Sequence, residues 1–308
     1  MNRWWVRPVV RLLAAILLPF AVPAIITLLI WALPGDPASI ICPPESCGGT
    51  EALAARWHLD EGPWGFFSQW VAGAVSGDFG NSWRVLQGGS VSELLWEAAP
   101  NTVALIGLSL IPVVLGAVGA ASGLIPRKVD GPLYLIGLVP ALVLALVVAA
   151  VVQLQFGAGS SDPEQLARLL GGALVLGFAD GAFSGAVSGV RGLFEAENRQ
   201  RYVSIAILRG ETPLSNTLPN VAAALAGQLR ARTLHLLSGT VVVEVVLRIN
   251  GLGDLLWGGA LRQDFAVVLP VATGFAMLSA ALLLVQALVE IIASVHIRRA
   301  PAVPLGAA

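Results

Sequence analysis

Long apolar runs, broken by short polar intervals, organise this chain. Six stretches match the roughly 20 apolar residues needed to cross a hydrocarbon core: residues 9–33, 102–125, 132–156, 166–190, 221–246 and 267–293. Within them the apolar residues are continuous rather than striped. That pattern predicts an all-α polytopic membrane protein with six transmembrane helices. The first run is too long for a signal-peptide core and has no small-residue cleavage site before Pro34.

Composition agrees. Of 308 residues, 56% are hydrophobic and 12% charged, and mean hydropathy is +0.80; soluble domains carry about 25% charged residues. Arginine and lysine set the orientation. Arg3, Arg7 and Arg11 precede the first run, Arg127 and Lys128 follow the second, Arg191, Arg199, Arg201 and Arg209 follow the fourth, and Arg298 and Arg299 follow the sixth. The opposite side holds fewer basic residues and most of the acids. Both termini are therefore expected in the cytosol. Cys42 and Cys47 then fall outside, where a disulfide is permitted; two unpaired thiols in a loop fit the sequence equally.

The polar interval 34–100 is punctuated by glycine and rich in aromatics, including Trp57, Trp64, Phe66, Phe67, Trp70, Phe79 and Trp83. Such density suits a membrane interface. It predicts short amphipathic helices lying on the outer surface with little core of their own.

The second polar interval, 195–220, sits on the cytosolic side. Residues 202–208 have helix-compatible types, Gly210 marks a helix end, and Pro213 can open the next helix. Read alone, this chemistry also fits an ordinary charged loop. No phosphate loop of the G-x-x-x-x-G-K-[ST] form occurs, so the chain is no ATP-hydrolysing motor. His58, His235 and His296 lie far apart, which leaves no metal centre. Ser188 lacks a well-placed base, and no nucleophile emerges.

Charges inside the apolar runs are costly and face a partner or a watery path. Asp180 lies midway along the fourth run; Arg230, Arg232 and His235 lie within the fifth. By helix rise, Asp180 and Arg232 stand about 16–18 Å above the cytosolic ends. Two readings stay open: an ion pair of Asp180 with Arg232, or Arg232, with His235 on the same face, meeting an anionic group in a translocation pathway. The fourth run is also rich in glycine, which lets helices approach closely.

Several motifs, in order, resemble the peptide/nickel family of binding-protein-dependent ABC-importer permeases, B-type member. Leu33-Pro34-Gly35-Asp36-Pro37 resembles its "LPGDP". His58-Leu59-Asp60 with Gln69-Trp70, Gly77-Asp78-Phe79-Gly80-Asn81-Ser82, and Pro100-Asn101-Thr102 resemble its outer-segment motifs. Val139-Pro140 stands at its Ile-Pro, and Val241-Val242-Val243-Glu244, Asn250-Gly251-Leu252-Gly253 and Arg262-Gln263-Asp264-Phe265 resemble "VVVE…PGLG…NRDY". Tyr202, Val203, Ala206, Arg209 and Gly210, then Leu218-Pro219-Asn220, resemble the coupling loop on which a cytosolic ATPase docks.

The resemblance implies a type I ABC importer permease fold: a cytosolic tail and first helix (1–33), an extracytoplasmic interfacial segment (34–100), a five-helix core (101–293) with its coupling loop (191–220) and a cytosolic coupling helix between spans 4 and 5, and a cytosolic tail (294–308). It implies ATPase-coupling roles for Tyr202, Ala206, Arg209, Gly210, Pro213 and Leu218. It implies a non-enzymatic subunit of the bacterial inner membrane, with no cofactor of its own, ATP and Mg being held by partner subunits. The implied partners are a second homologous permease, two cytosolic ATP-binding subunits, an extracytoplasmic substrate-binding protein and the lipid bilayer, with no nucleic acid. The implied cargo is peptides or related small solutes. A channel or a non-transporting membrane scaffold is the alternative. The sequence departs from the family where Ile205-Ala206-Ile207 stands for more polar residues, at Arg230 and Arg232, at Ile297-Arg298-Arg299, and between Gly210 and Asn220, which is about one turn short.

Overall fold

In the computed structural model, residues 6–41, 50–157 and 161–299 are described. Cys42 and Cys47 lie outside them. The described residues are helices joined by loops, with no strand beyond a single bridge between Asn81 and Ser90.

Helix α1 (Val6–Ala32) leads into three short helices, α2 (Pro37–Ile41), α3 (Thr50–Arg56) and α4 (Gly62–Ser76). Helix α5 (Val91–Ala121) begins well ahead of the expected residue 102. Its start is a capping arrangement that an apolar count passes over: the Ser90 hydroxyl accepts from the Glu93 N–H, a Ser-x-x-Glu signature. Pro100 and Pro112 are carried inside the helix.

Two expected spans are broken. Residues 132–156 form α6 (Asp130–Gly137) and α7 (Ala141–Phe156), and the bent pair meets at 78°. Pro140, extended at ψ 140, causes the break: its ring excludes helical backbone at the preceding residue and it has no N–H to give. Residues 166–190 form α8 (Asp162–Phe178) and α9 (Ala182–Asn198), separated by one 3-10 turn. There Asp180 (φ 50) and Gly181 (φ 71) are left-handed.

The two breaks satisfy each other. Asp180 N–H donates to the Val139 carbonyl at 3.2 Å, and its carboxylate accepts from Ala141 N–H at 3.2 Å, capping α7. Backbone freed from a helix at membrane depth needs such protein partners, because lipid supplies none.

After α9 come α10 (Arg201–Leu208), α11 (Pro213–Leu247), α12 (Leu252–Leu261) and α13 (Phe265–Arg299). Four helices, Val6–Ala32, Val91–Ala121, Asp162–Asn198 and Phe265–Val295, are long and apolar enough to span a bilayer. The number rises to six if the α6/α7 pair and the α11/α12 pair, bent by 76°, each count as one. Helix α11 is long enough alone but carries Arg230, Arg232 and His235, which depress its hydropathy.

Three apolar clusters stack along the molecule. The central one joins Leu105, Val113, Leu176, Leu236 and Val243 of α5, α8 and α11. One at the arginine-rich end joins Val187, Val190, Phe194 and Val221. The third joins Leu59, Phe66 and Trp83, all buried, with Ile30 of α1, Leu255 of α12 and Leu269 of α13. Helix α1 lies along α13, and Arg11 pairs with Glu290.

Candidate functional site

Helix α10 matches the expected 202–208 to within a residue and occupies the arginine-rich end between α9 and α11. Gly210 at φ 82 makes the turn that a side chain would strain. Pro213 stands at the start of α11. One face of α10 is anchored: Val203 and Ala206 are buried. At its start the Tyr202 hydroxyl donates to Glu197 and accepts from Asn220 Nδ2 at 2.7 Å, while Thr217 Oγ1 donates to Asn198 Oδ1 at 2.7 Å. Two of these bonds fix α10 to the end of α9 and the start of α11, and the third ties α9 to α11 directly. Partial burial, with the neighbouring Glu197 second, raises the Tyr202 hydroxyl to about 12.

The other face of α10 is free. Ile205 and Ile207 are about half exposed and Leu208 is 87% exposed, with exposed Arg201 and Arg209 at the two ends. Of the residues named from sequence, Arg209 and Leu218 present side chains outward. Ala206 faces inward, and Tyr202 is taken up in the bridge to Glu197. The apolar trio was not singled out, although the departure at Ile205-Ala206-Ile207 was its signal.

Beside α10, Arg127 pairs with Glu195, and Arg191 pairs with Asp130 while donating to the Ile125 carbonyl at 2.8 Å. These bonds tie the segment between α5 and α6 to α9.

Asp180 and Arg232 form no ion pair. Asp180 is occupied by the α7 N-terminus, and Arg232 Nη1 reaches the Gly181 carbonyl at 3.4 Å. Arg232 borders a cavity of about 330 Å³ between α6, α9 and α11. His235 is exposed and outside that lining. Arg230 points elsewhere, Nε donating to Gln286 Oε1 at 2.6 Å. Among the described residues no His, Cys, Asp and Glu group has metal-binding geometry.

At the opposite end two buried carboxyl groups hold the loops. Glu244 accepts from Thr102 Oγ1 at 2.7 Å and from the Gly253 and Asp254 N–H groups at 2.6 and 3.1 Å, capping α12 from the preceding helix. Asp264 Oδ2 accepts from Ser82 Oγ at 2.6 Å and from the N–H groups of Trp83, Arg84 and Val85 at 2.9–3.0 Å. Arg168, paired with buried Glu164, donates to the Leu247 carbonyl at 3.2 Å and closes the end of α11. The motif positions at 244–253 and 262–265 are thus structural locks.

No protein-family profile matches the chain. It is 26% identical over 261 residues to the oligopeptide transport system permease protein AppB of Bacillus subtilis (strain 168), covering 77% of this chain and 82% of that relative. It is also 26% identical over 274 residues to the glutathione transport system permease protein GsiC of Escherichia coli (strain K12) and of Shigella boydii serotype 4 (strain Sb227), covering 84% and 87%.

Proposed function

We propose that this chain, a transmembrane permease related to the peptide-type permeases of ABC importers, forms half of a translocation pathway for peptides or related small solutes. ATP hydrolysis belongs to separate subunits. The remaining parts of the assembly are a second homologous permease, two cytosolic ATP-binding subunits holding ATP and Mg, and an extracytoplasmic binding protein that delivers the solute. In this reading the arginine-rich end and both termini face the cytosol.

The observation that carries the reading is α10. A short helix bridged firmly to α9 and α11 presents Ile205, Ile207 and Leu208 to water, with arginines at both ends. An apolar patch rimmed by charge marks a protein-docking face, and the Tyr202 bonds with Glu197 and Asn220 carry its displacement into α9 and α11. Burying one leucine is worth about 1.5–3 kcal/mol. Leu208→Asp should therefore weaken retention of the ATP-binding subunits by about tenfold or more and reduce ATP-driven uptake in vesicles correspondingly. Arg209→Ala should weaken retention less. Undiminished co-purification and uptake in Leu208→Asp would reject α10 as the coupling helix. Conductance without ATP would favour a channel.

A further inference from the structure

The cavity between α6, α9 and α11 is lined by Asp130, Tyr134, Ser184, Gly185, Ser188 and Arg232, among others. Its volume, about 330 Å³, lies at the small end of ligand sites, which run to roughly 300–1,000 Å³. Three features separate it from a packing gap.

First, room has been made for the guanidinium. A Cβ on Gly185 would collide with the Arg232 guanidinium, so only glycine lets that plane lie against α9. One turn along, Gly189 faces Gln228, where a Cβ would be a tight contact rather than a collision. The glycine spacing on α9 thus admits polar side chains from α11.

Second, the guanidinium is under-used. Its one protein bond is the long contact with the Gly181 carbonyl, and its Nε is buried with no partner. An arginine held inside a spanning helix without a carboxylate runs against the usual rule. Asp180, the carboxylate that one of the two sequence readings offered as its partner, is committed to the Ala141 N–H.

Third, two hydroxyls are free on the cavity side. The Ser184 and Ser188 hydroxyls make no hydrogen bond to another described residue. Asp130 is engaged by Arg191 through Oδ2. Forked guanidinium donors match a carboxylate.

We propose that this cavity is a binding site for the carboxylate end of an amino acid or short peptide. Arg232 takes the anion, and Ser184 and Ser188 supply hydroxyl donors. The proposal rests on the reading that the chain lines a solute path. It assigns to the permease itself a preference for a free carboxylate.

The test needs no ATP, so its outcome is independent of whether α10 docks an ATPase. Ser188→Cys is introduced with Cys42 and Cys47 replaced by serine, and the intact complex is reconstituted in nanodiscs. Its reaction rate with a sulfonate-bearing methanethiosulfonate is compared with that of a trimethylammonium analogue. A cation beside the thiol should raise the sulfonate-to-ammonium rate ratio about tenfold over that of a free thiol in water. Arg232→Gln should return the ratio to the free-thiol value, whereas Arg232→Lys should keep the preference. Dialanine at about twice its half-saturating concentration, which fills about two-thirds of the sites, should slow the modification about threefold, and dialanine amide should not. The proposal is overturned if neither reagent reacts, if the ratio is the same in Arg232→Gln, if Arg232→Lys and Arg232→Gln lose it equally, or if the amide protects as well as the acid.

Discussion

Asp264 gathers four donors on one buried oxygen, which ties the turn at residues 82–85 to the start of α13. Removing the acceptor leaves three backbone N–H groups and a hydroxyl unanswered, and each such loss costs about 1–3 kcal/mol. Relaxation and water recover part of this, so Asp264→Ala should destabilise the protein by about 3–5 kcal/mol. The check is a lowered thermal midpoint followed by tryptophan fluorescence, since Trp83 reports from the affected turn, together with faster proteolysis at residues 82–85. Tyr202 makes a prediction of another kind. Its hydroxyl is raised from 10.0 to about 12 by partial burial first and the Glu197 contact second. The neutral form is therefore favoured in the folded protein. The stabilisation from this group is complete below pH 10 and disappears as pH rises through about 12. With Tyr134→Phe, Tyr202 is the remaining tyrosine of two, and its tyrosinate absorbance should appear near pH 12. Adding Glu197→Gln should move that titration down, but not fully to 10, because the burial remains. A midpoint unmoved by Glu197→Gln would show that the bridge from α10 to α9 is absent.

Among the elements, what could be read in advance depended on the signal each one leaves. Helix α10 was legible because Gly210 closes it and Pro213 opens the helix that follows. The start of α5 was also written, in Ser90 and Glu93, but a count of apolar residues does not weigh a cap. The breaks in the third and fourth runs were less visible. Pro140 was in plain sight and still passed for part of a span, because hydropathy is blind to a missing N–H. The break at Asp180 has no local cause in composition: an aspartate at φ 50 beside a glycine is understandable only once the Val139 carbonyl and the Ala141 N–H are seen against it. That is why the sequence leaves an ion pair with Arg232 open as one reading where a helix cap exists. The cap yields a prediction. Asparagine tolerates left-handed backbone and can accept from Ala141, so Asp180→Asn should be close to neutral. Asp180→Ala loses the cap and strains the turn, at about 1–2 kcal/mol each. Thermal unfolding of the two variants, with hydrogen exchange at the start of α7, distinguishes this cap from a pathway charge. If Asp180→Asn unfolds as readily as Asp180→Ala, the cap is not its role.

Across the whole molecule, locks and levers lie at opposite ends. Glu244, Asp264 and Arg168 fasten loops at the acidic end, while the arginine-rich end concentrates paired charges, with Arg127–Glu195 and Arg191–Asp130 linking the α5–α6 segment to α9. The cavity beside Arg232 and the helix α10 both attach to α9, one along its side and one at its end. A displacement of α10 therefore reaches the cavity wall without crossing an unconnected element. The arrangement works as a coupling device only if the arginine-rich end is cytosolic. Basic residues flanking the spans predict that orientation, and Arg11 against Glu290 puts the start of α1 and the end of α13 on one side. Reporter fusions test it directly. A fluorescent protein that folds only in the cytosol, joined after Ala308, should fluoresce. Alkaline phosphatase, active only outside, should be active when joined within the α4–α5 turn at Gly77 and inactive when joined at Gly210. Phosphatase activity at Gly210 would invert the molecule and leave Ile205, Ile207 and Leu208 facing away from any source of ATP.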